Sequence, residues 1–324
     1  MRKLLHPTLA LCLLVTMSGL AGWEDETTSP AQAPAPVASA VANKPVTSAA
    51  SGTIPVDLYS QFLDAPVDPA YWLTLGYFSG GEIDVPHGGD VADIELDAFW
   101  DIAFFRDVLA GDIDFKLRMH NVFFTDDGDI DGMPDFLLGL ALDAGWTWRF
   151  LDGGSLETRL RPGIYSSLDA LGGGMFGCPI RLAYYRVLNA EAAFMVGGEF
   201  RPGWDFLFMP YLGLAWQPVD LFRLEFAVPR TRAYLYLWRL TFFGGFEWRN
   251  VSYAMKGGNR PDQVTLDDIL MSAGARVSLT DELCLGFEVG SSLSRSIDFE
   301  MSDHDADFDI DPSTFVRIFV GGPF

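Results

Sequence analysis

Between residues 92 and 105, Ile94, Leu96, Ala98, Trp100, Ile102 and Phe104 alternate with Asp93, Glu95, Asp97 and Asp101. A β-strand sends successive side chains to opposite faces, so this period predicts a strand with one apolar and one carboxylate face. The same period recurs in segment after segment. It is present in the last stretch, residues 314–324, where Val316, Ile318 and Val320 alternate with Arg317. It also reconciles two facts that otherwise conflict, a formal charge of −22 and a positive mean hydropathy. Both follow if each strand keeps its charges on one side.

The first residues, Met1-Arg2-Lys3, precede an apolar run from Leu9 to Met17 and the small residues Ser18, Gly19 and Ala21. This is the form of a cleaved secretory signal, predicted over residues 1–21. The mature chain would hold 20 Lys+Arg against 44 Asp+Glu, because the signal takes two basic residues with it. That balance disfavours nucleic acid as a partner. Residues 22–56, rich in Ala, Pro, Ser, Thr and Val, cannot bury enough apolar surface to order themselves and read as a disordered periplasmic spacer. No apolar run of about 18 residues follows, which excludes a membrane helix. A closed barrel is the other architecture that satisfies its backbone inside lipid, and residues 57–324 are assigned to one.

Strands are expected at about 71–79, 92–105, 112–124, 136–150, 155–167, 178–188, 190–200, 206–217, 221–228, 232–238, 241–255, 267–279, 282–296 and 314–324. The fold class is therefore all-β, an antiparallel up-and-down transmembrane barrel of about 14 strands. If residues 233–238, which offer no polar face, fail as a strand, the alternative is 12. Short turns alternate with long connections at 80–91, 124–135, 168–177, 256–266 and 297–312, the asymmetry of periplasmic turns and extracellular loops. Trp72, Trp146, Trp148, Trp216 and Trp238 fall toward the short-turn ends, where interfacial aromatics form girdles. Cys178 and Cys284 fall at opposite ends, so no disulfide is expected between them.

Together, the signal, the amphipathic strands and the terminal Phe324 resemble Gram-negative-type outer-membrane β-barrel proteins. More narrowly, residues 57–324 are similar to an uncharacterised family of outer-membrane barrels with no assigned activity. The resemblance implies bacterial outer-membrane localisation, with lipid and lipopolysaccharide as surroundings. It also implies delivery by the barrel assembly machinery, which recognises a final strand ending in an aromatic.

Inward positions are expected for Asp114, Lys116, Arg118, Glu157, Arg159, Arg161, Arg223, Glu225, Glu247, Arg249, Arg276 and Arg317. Opposite charges two residues apart share a face, which predicts pairs such as Asp114/Lys116, Glu157/Arg159, Arg223/Glu225 and Glu247/Arg249. A barrel of 12 to 14 strands is wider than its side chains fill, so a narrow polar pore is expected. The function that follows is a passive channel for small polar solutes, with acidic loops giving a weak cation preference.

In one loop, Asp127, Asp129, Asp131 and Asp135 stand in the order D-x-D-x-D-G-x-P-D, the oxygen-rich tight turn that calcium favours. Leu138 occupies the position where an EF-hand needs Glu, so the motif is not an EF-hand. A second acidic string, Asp303 to Asp311, could bridge through divalent cations to lipopolysaccharide. The alternative function is a closed structural or surface-binding barrel with calcium-stabilised loops. A third, a rim hydrolase, would use His120 with Asp126 or Asp127, although no nucleophile elbow accompanies them.

Overall fold

A computed structural model describes residues 71–83, 89–127, 133–150, 153–170, 176–255, 263–280, 283–300 and 305–322. The expected signal, the spacer, Asp129, Asp131 and Phe324 lie outside the described residues.

The strands are β1 (Tyr71–Glu82), β2 (Asp90–Val108), β3 (Gly111–Asp127), β4 (Phe136–Arg149), β5 (Gly154–Leu160), β6 (Gly163–Ser167), β7 (Phe176–Gly177), β8 (Ile180–Asn189) and β9 (Ala192–Phe200). They continue as β10 (Phe208–Val219), β11 (Phe222–Val228), β12 (Arg230–Leu237), β13 (Leu240–Ala254), β14 (Gln263–Ser278), β15 (Cys284–Glu300), β16 (Asp305–Ile310) and β17 (Thr314–Gly322). Every neighbour in the wall is antiparallel, and β1 pairs with both β2 and β17, which closes the sheet. Because β5/β6, β7/β8 and β16/β17 are each one interrupted strand, the barrel has 14 positions. Of the doubtful segment 233–238, all but Trp238 belongs to β12, which pairs along its length with β13 from Arg230↔Glu247 to Leu237↔Leu240.

The wall is not of even height. At the end carrying the long connections, β13 and β6 meet in a parallel bridge, Ala254↔Ser166. Starting from that seam, the pairings β13–β14, β14–β15, β15–β16, Ile83↔Ile310, β1–β2, β2–β3, β3–β4 and β4–β6 complete a second, smaller ring. Nine strands form this ring. The other five, β8 to β12, stop below it, and residues 201–207 between β9 and β10 bridge the step. There the Arg201 guanidinium donates to the Asn250 carbonyl at 2.9 Å, the Asp205 amide donates to Ser252 Oγ at 3.3 Å, and Trp204 packs edge-on against Tyr165.

β-Bulges explain where simple alternation fails. One extra residue sends every later side chain to the opposite face. In β2 the pairing slips between Asp101 and Ala103, so Phe104 pairs with inward Asp114 and does not continue the outward set; Phe105 is exposed instead. In β15 the slip at Leu293 has a larger effect. Below it Leu285, Phe287 and Val289 face outward, whereas above it Ile297 and Phe299 are buried inside. Two further expectations are corrected. Trp72 points inward, stacked on Phe319 at 4.6 Å, while Trp148, Trp216 and Trp238 are exposed. Phe206 precedes β10 and packs on Trp248. Cys178 and Cys284 are free; one precedes β8 at the long-connection end and the other begins β15 at the short-turn end.

Candidate functional site

The interior divides into three zones. The nine-strand ring is filled with apolar side chains: Val91, Val122, Leu137, Tyr253, Val264 and Ile297 are each 0 % exposed, and Ile83, Phe299 and Ile310 join them. A barrel of about eight strands is just wide enough for its own side chains, so a nine-strand ring lined by Val, Ile, Leu and Phe closes on itself. The bulge in β15 supplies Ile297 and Phe299 to this plug.

Below the plug, the flank formed by β2 to β8 is packed with ion pairs. Arg159, 2 % exposed, donates from Nη1 to Asp143 at 2.8 Å, from Nη2 to Asp114 at 3.0 Å and from Nε to Glu157 at 3.2 Å. Only glycine fits opposite it, because a Cβ at Gly145 would overlap both the Asp114 carboxylate and the Arg159 guanidinium. Lys116 lies 3.6 Å from Asp101, and on β11, outside this flank, Arg223 pairs with Glu225 at 2.7 Å. The expected Glu157/Arg159 and Arg223/Glu225 pairs are present. Asp114 pairs with Arg159 rather than Lys116, and Arg249 with Glu95 and Asp268 rather than Glu247.

The remaining space is a chamber of about 520 Å³. Eight arginines line it, at 118, 161, 201, 230, 232, 249, 276 and 317, against five carboxylates, Glu95, Asp97, Glu247, Asp268 and Glu288. Arg161 and Arg201 share Glu199, at 3.7 and 2.7 Å. Arg249 and Arg317 share Glu95, at 2.7 and 3.3 Å, and Arg232 and Arg317 share Glu288, at 3.3 and 3.7 Å. The Nε atoms of Arg249 and Arg317 are buried without a hydrogen-bond partner. Trp72, Phe99, Tyr234, Phe243, Trp248 and Phe319 supply flat apolar wall between the charges.

Thus Arg118, Arg161, Glu247, Arg249, Arg276 and Arg317 lie on the chamber wall, while Asp114, Lys116, Glu157, Arg159, Arg223 and Glu225 are buried in the interior. Sequence reasoning missed Arg201, Arg230 and Arg232. Arg201 belongs to a turn, where alternation gives no face. Arg230 and Arg232 were legible, since with Tyr234 they continue one face of β12; the expected strand began at residue 232, which left Arg230 outside it, while Arg232 was within it and was not assigned a face.

His120 lies midway along β3. Its Nδ1 contacts Asp97, and its ring stacks on Tyr253 at 6.2 Å. Asp127 ends β3 and Asp135 precedes β4; the middle of that loop lies outside the described residues. Among the described residues, no group of three or more His, Cys, Asp or Glu side chains is placed to hold a metal.

Outside the plug, beyond the outward apolar face of β15, Asp298 pairs across the sheet with Asp307. Burial pushes its carboxyl up to about 7, helped by the hydrogen bond with Asp307 and by the charges of Asp205 and Asp267. Its folded value lies above the ordinary 3.8, so folding takes up protons between the two. The stabilisation is complete below about pH 4 and is lost as pH rises through 7. Amide exchange in β16, corrected for intrinsic rate, is expected to be slower at pH 5 than at pH 8. In Asp298→Asn that difference should shrink; an unchanged pH dependence would assign it elsewhere.

No family model matches the chain, and no curated protein does. Among solved structures, it is similar to an outer membrane channel from Pseudomonas putida F1, with 11% identity and a TM-score of 0.42, covering 79% of this chain and 96% of that one. It is also similar to a mutant of the monoaromatic hydrocarbon channel TodX, of Pseudomonas putida, at 8% identity and a TM-score of 0.43, covering 80% and 91%. A third is OccAB4 of Acinetobacter baumannii, at 8% identity and a TM-score of 0.32, covering 80% and 99%.

Proposed function

We propose that the chain is an outer-membrane channel for small polar solutes, shut at its long-connection end by the apolar plug. The outward surface supports the membrane location: Leu212, Phe226 and Ile318 are each more than 60 % exposed on the barrel wall, alongside many other large apolar side chains. Such a surface is unfavourable in water and suited to lipid, and a closed barrel leaves no unpaired strand edge there. In this reading, lipid surrounds the belt, lipopolysaccharide faces the loops, and the assembly machinery inserts the final strand.

The observation that carries the channel reading is the chamber of about 520 Å³ enclosed by the wall and lined by charge. A barrel serving only as a scaffold has no need of such a charge-lined space. The acidic loops would concentrate cations at the mouth, but the chamber lining has more arginine than carboxylate, so selection inside runs the other way. The second reading, a closed surface-binding barrel with calcium in the Asp127–Asp135 loop, draws its support from the plug. A rim hydrolase has less behind it, since the carboxylate at His120 Nδ1 is Asp97 rather than a loop acid.

Planar-bilayer recording of the refolded chain separates the readings. Discrete, infrequent openings are expected of a plugged channel. Silence at all voltages, including after substitution of the plug, would leave the closed barrel standing.

A further inference from the structure

We propose, building on the channel reading, that the chamber is a binding site for small organic carboxylates with a flat apolar body. The donor and acceptor inventory is the first reason. A guanidinium carries five N–H donors and a carboxylate about four acceptor sites, so eight arginines against five carboxylates leave donors in excess by about two to one. Asp143 and Glu199, just behind the wall, reduce that excess without removing it.

The acceptors are also already engaged. Glu95 takes both arms of Arg249, at 2.7 and 2.9 Å, and Arg317 at 3.3 Å. Asp143 takes Arg118, Arg159 and Arg161. A cation entering the chamber would have to displace these partners. An anion would instead meet guanidiniums whose N–H donors outnumber the acceptors lining the chamber.

Chemical class follows from the geometry of those donors. The guanidinium fork matches the two oxygens of a carboxylate. Six aromatic rings stand between the arginines, and Arg118 and Arg232 already lie over Phe99 and Phe243, at 5.6 and 5.2 Å. A carboxylate with a flat hydrocarbon portion would use both surfaces, the rings for its body and the forks for its charge. At about 520 Å³ the space falls in the usual range for one small ligand.

Calorimetric titration of the full refolded chain in detergent tests this without needing an open pore. Benzoate is the probe, with neutral benzamide and cationic benzylammonium as matched controls. Saturable binding of benzoate alone is expected, and Arg232→Gln should raise its Kd by about tenfold or more, the loss of one charge-assisted contact. Should that variant fold poorly, Arg161→Gln is expected to act in the same direction. Benzamide or benzylammonium binding as tightly as benzoate, or no benzoate binding to the wild-type barrel at millimolar concentration, would overturn the assignment. Benzoate binding by a chain that never conducts would keep the site and remove the channel. Conductance without carboxylate binding would do the reverse.

Discussion

Arg159→Met is expected to destabilise the barrel by about 3–5 kcal/mol, the usual cost of removing one partner from a buried ionic cluster. Its guanidinium serves Asp143, Asp114 and Glu157 at once, and Glu157 and Asp143 are fully buried. Methionine fills much of the same volume, so the loss would come from stranded carboxylates rather than from a cavity. Arg159→Lys should recover only part of it, because an ammonium cannot span three carboxylates with a planar fork. Urea or guanidinium unfolding of the refolded barrel, followed by its change in gel migration, measures the effect. Arg149→Ala is the comparison, since that side chain is 68 % exposed although it contacts Asp112; a change within about 0.5 kcal/mol is expected there. Equal effects at the two positions would show that the cluster contributes no more than a surface charge.

The second large effect is expected at the plug. Replacing Leu137 and Ile297 by serine removes two fully buried aliphatic side chains from the nine-strand ring. Each contributes roughly 1.5–3 kcal/mol by being out of water, so the pair shifts the balance between shut and open by about 3–6 kcal/mol. That is more than a hundredfold in population, provided the 14-strand wall below stays intact. Opening frequency in planar bilayers should rise accordingly, and cells carrying the variant should admit polar solutes that wild-type cells exclude. Leu212→Ser, on the outward face, is the control and should leave opening unchanged. If the plug variant conducts no more often than that control, the barrier lies elsewhere.

Much of this architecture was legible because a wall between lipid and a polar interior leaves little freedom in residue choice. Runs such as Asp114-Phe115-Lys116-Leu117-Arg118 state both faces directly, and all the side chains expected inside are in the interior. Even the doubtful β12 keeps its place, since Tyr234 and Tyr236 turn a ring inward and stack on each other at 6.1 Å. Errors arose where one residue changes the phase. Nothing local in Ala103-Phe104-Phe105 tells which phenylalanine follows the bulge, and Trp72 looks like a girdle residue until Phe319 is found beneath it. The plug was illegible for a different reason. Ile297 and Phe299 are apolar in either phase, and only the long-range meeting of Ser166 with Ala254 reveals that the strands converge there. The charge balance of the chamber was hidden likewise, because Arg201 and Arg230 come from a turn and from a strand end.

That meeting also dictates how the shut end could widen. Around most of the upper ring, neighbours are held by continuous ladders, as β13 and β14 are from Leu240↔Val277 to Ala254↔Gln263. At the seam, β6 and β13 share a single bridge, reinforced by the short segment around Trp204. The ring's other single bridge is Ile83↔Ile310, between the end of β1 and β16, so resistance to stretching is least along these two lines. A force that enlarges this end would part it along them first, as a zip opens from one side, and would not dilate it evenly like an iris.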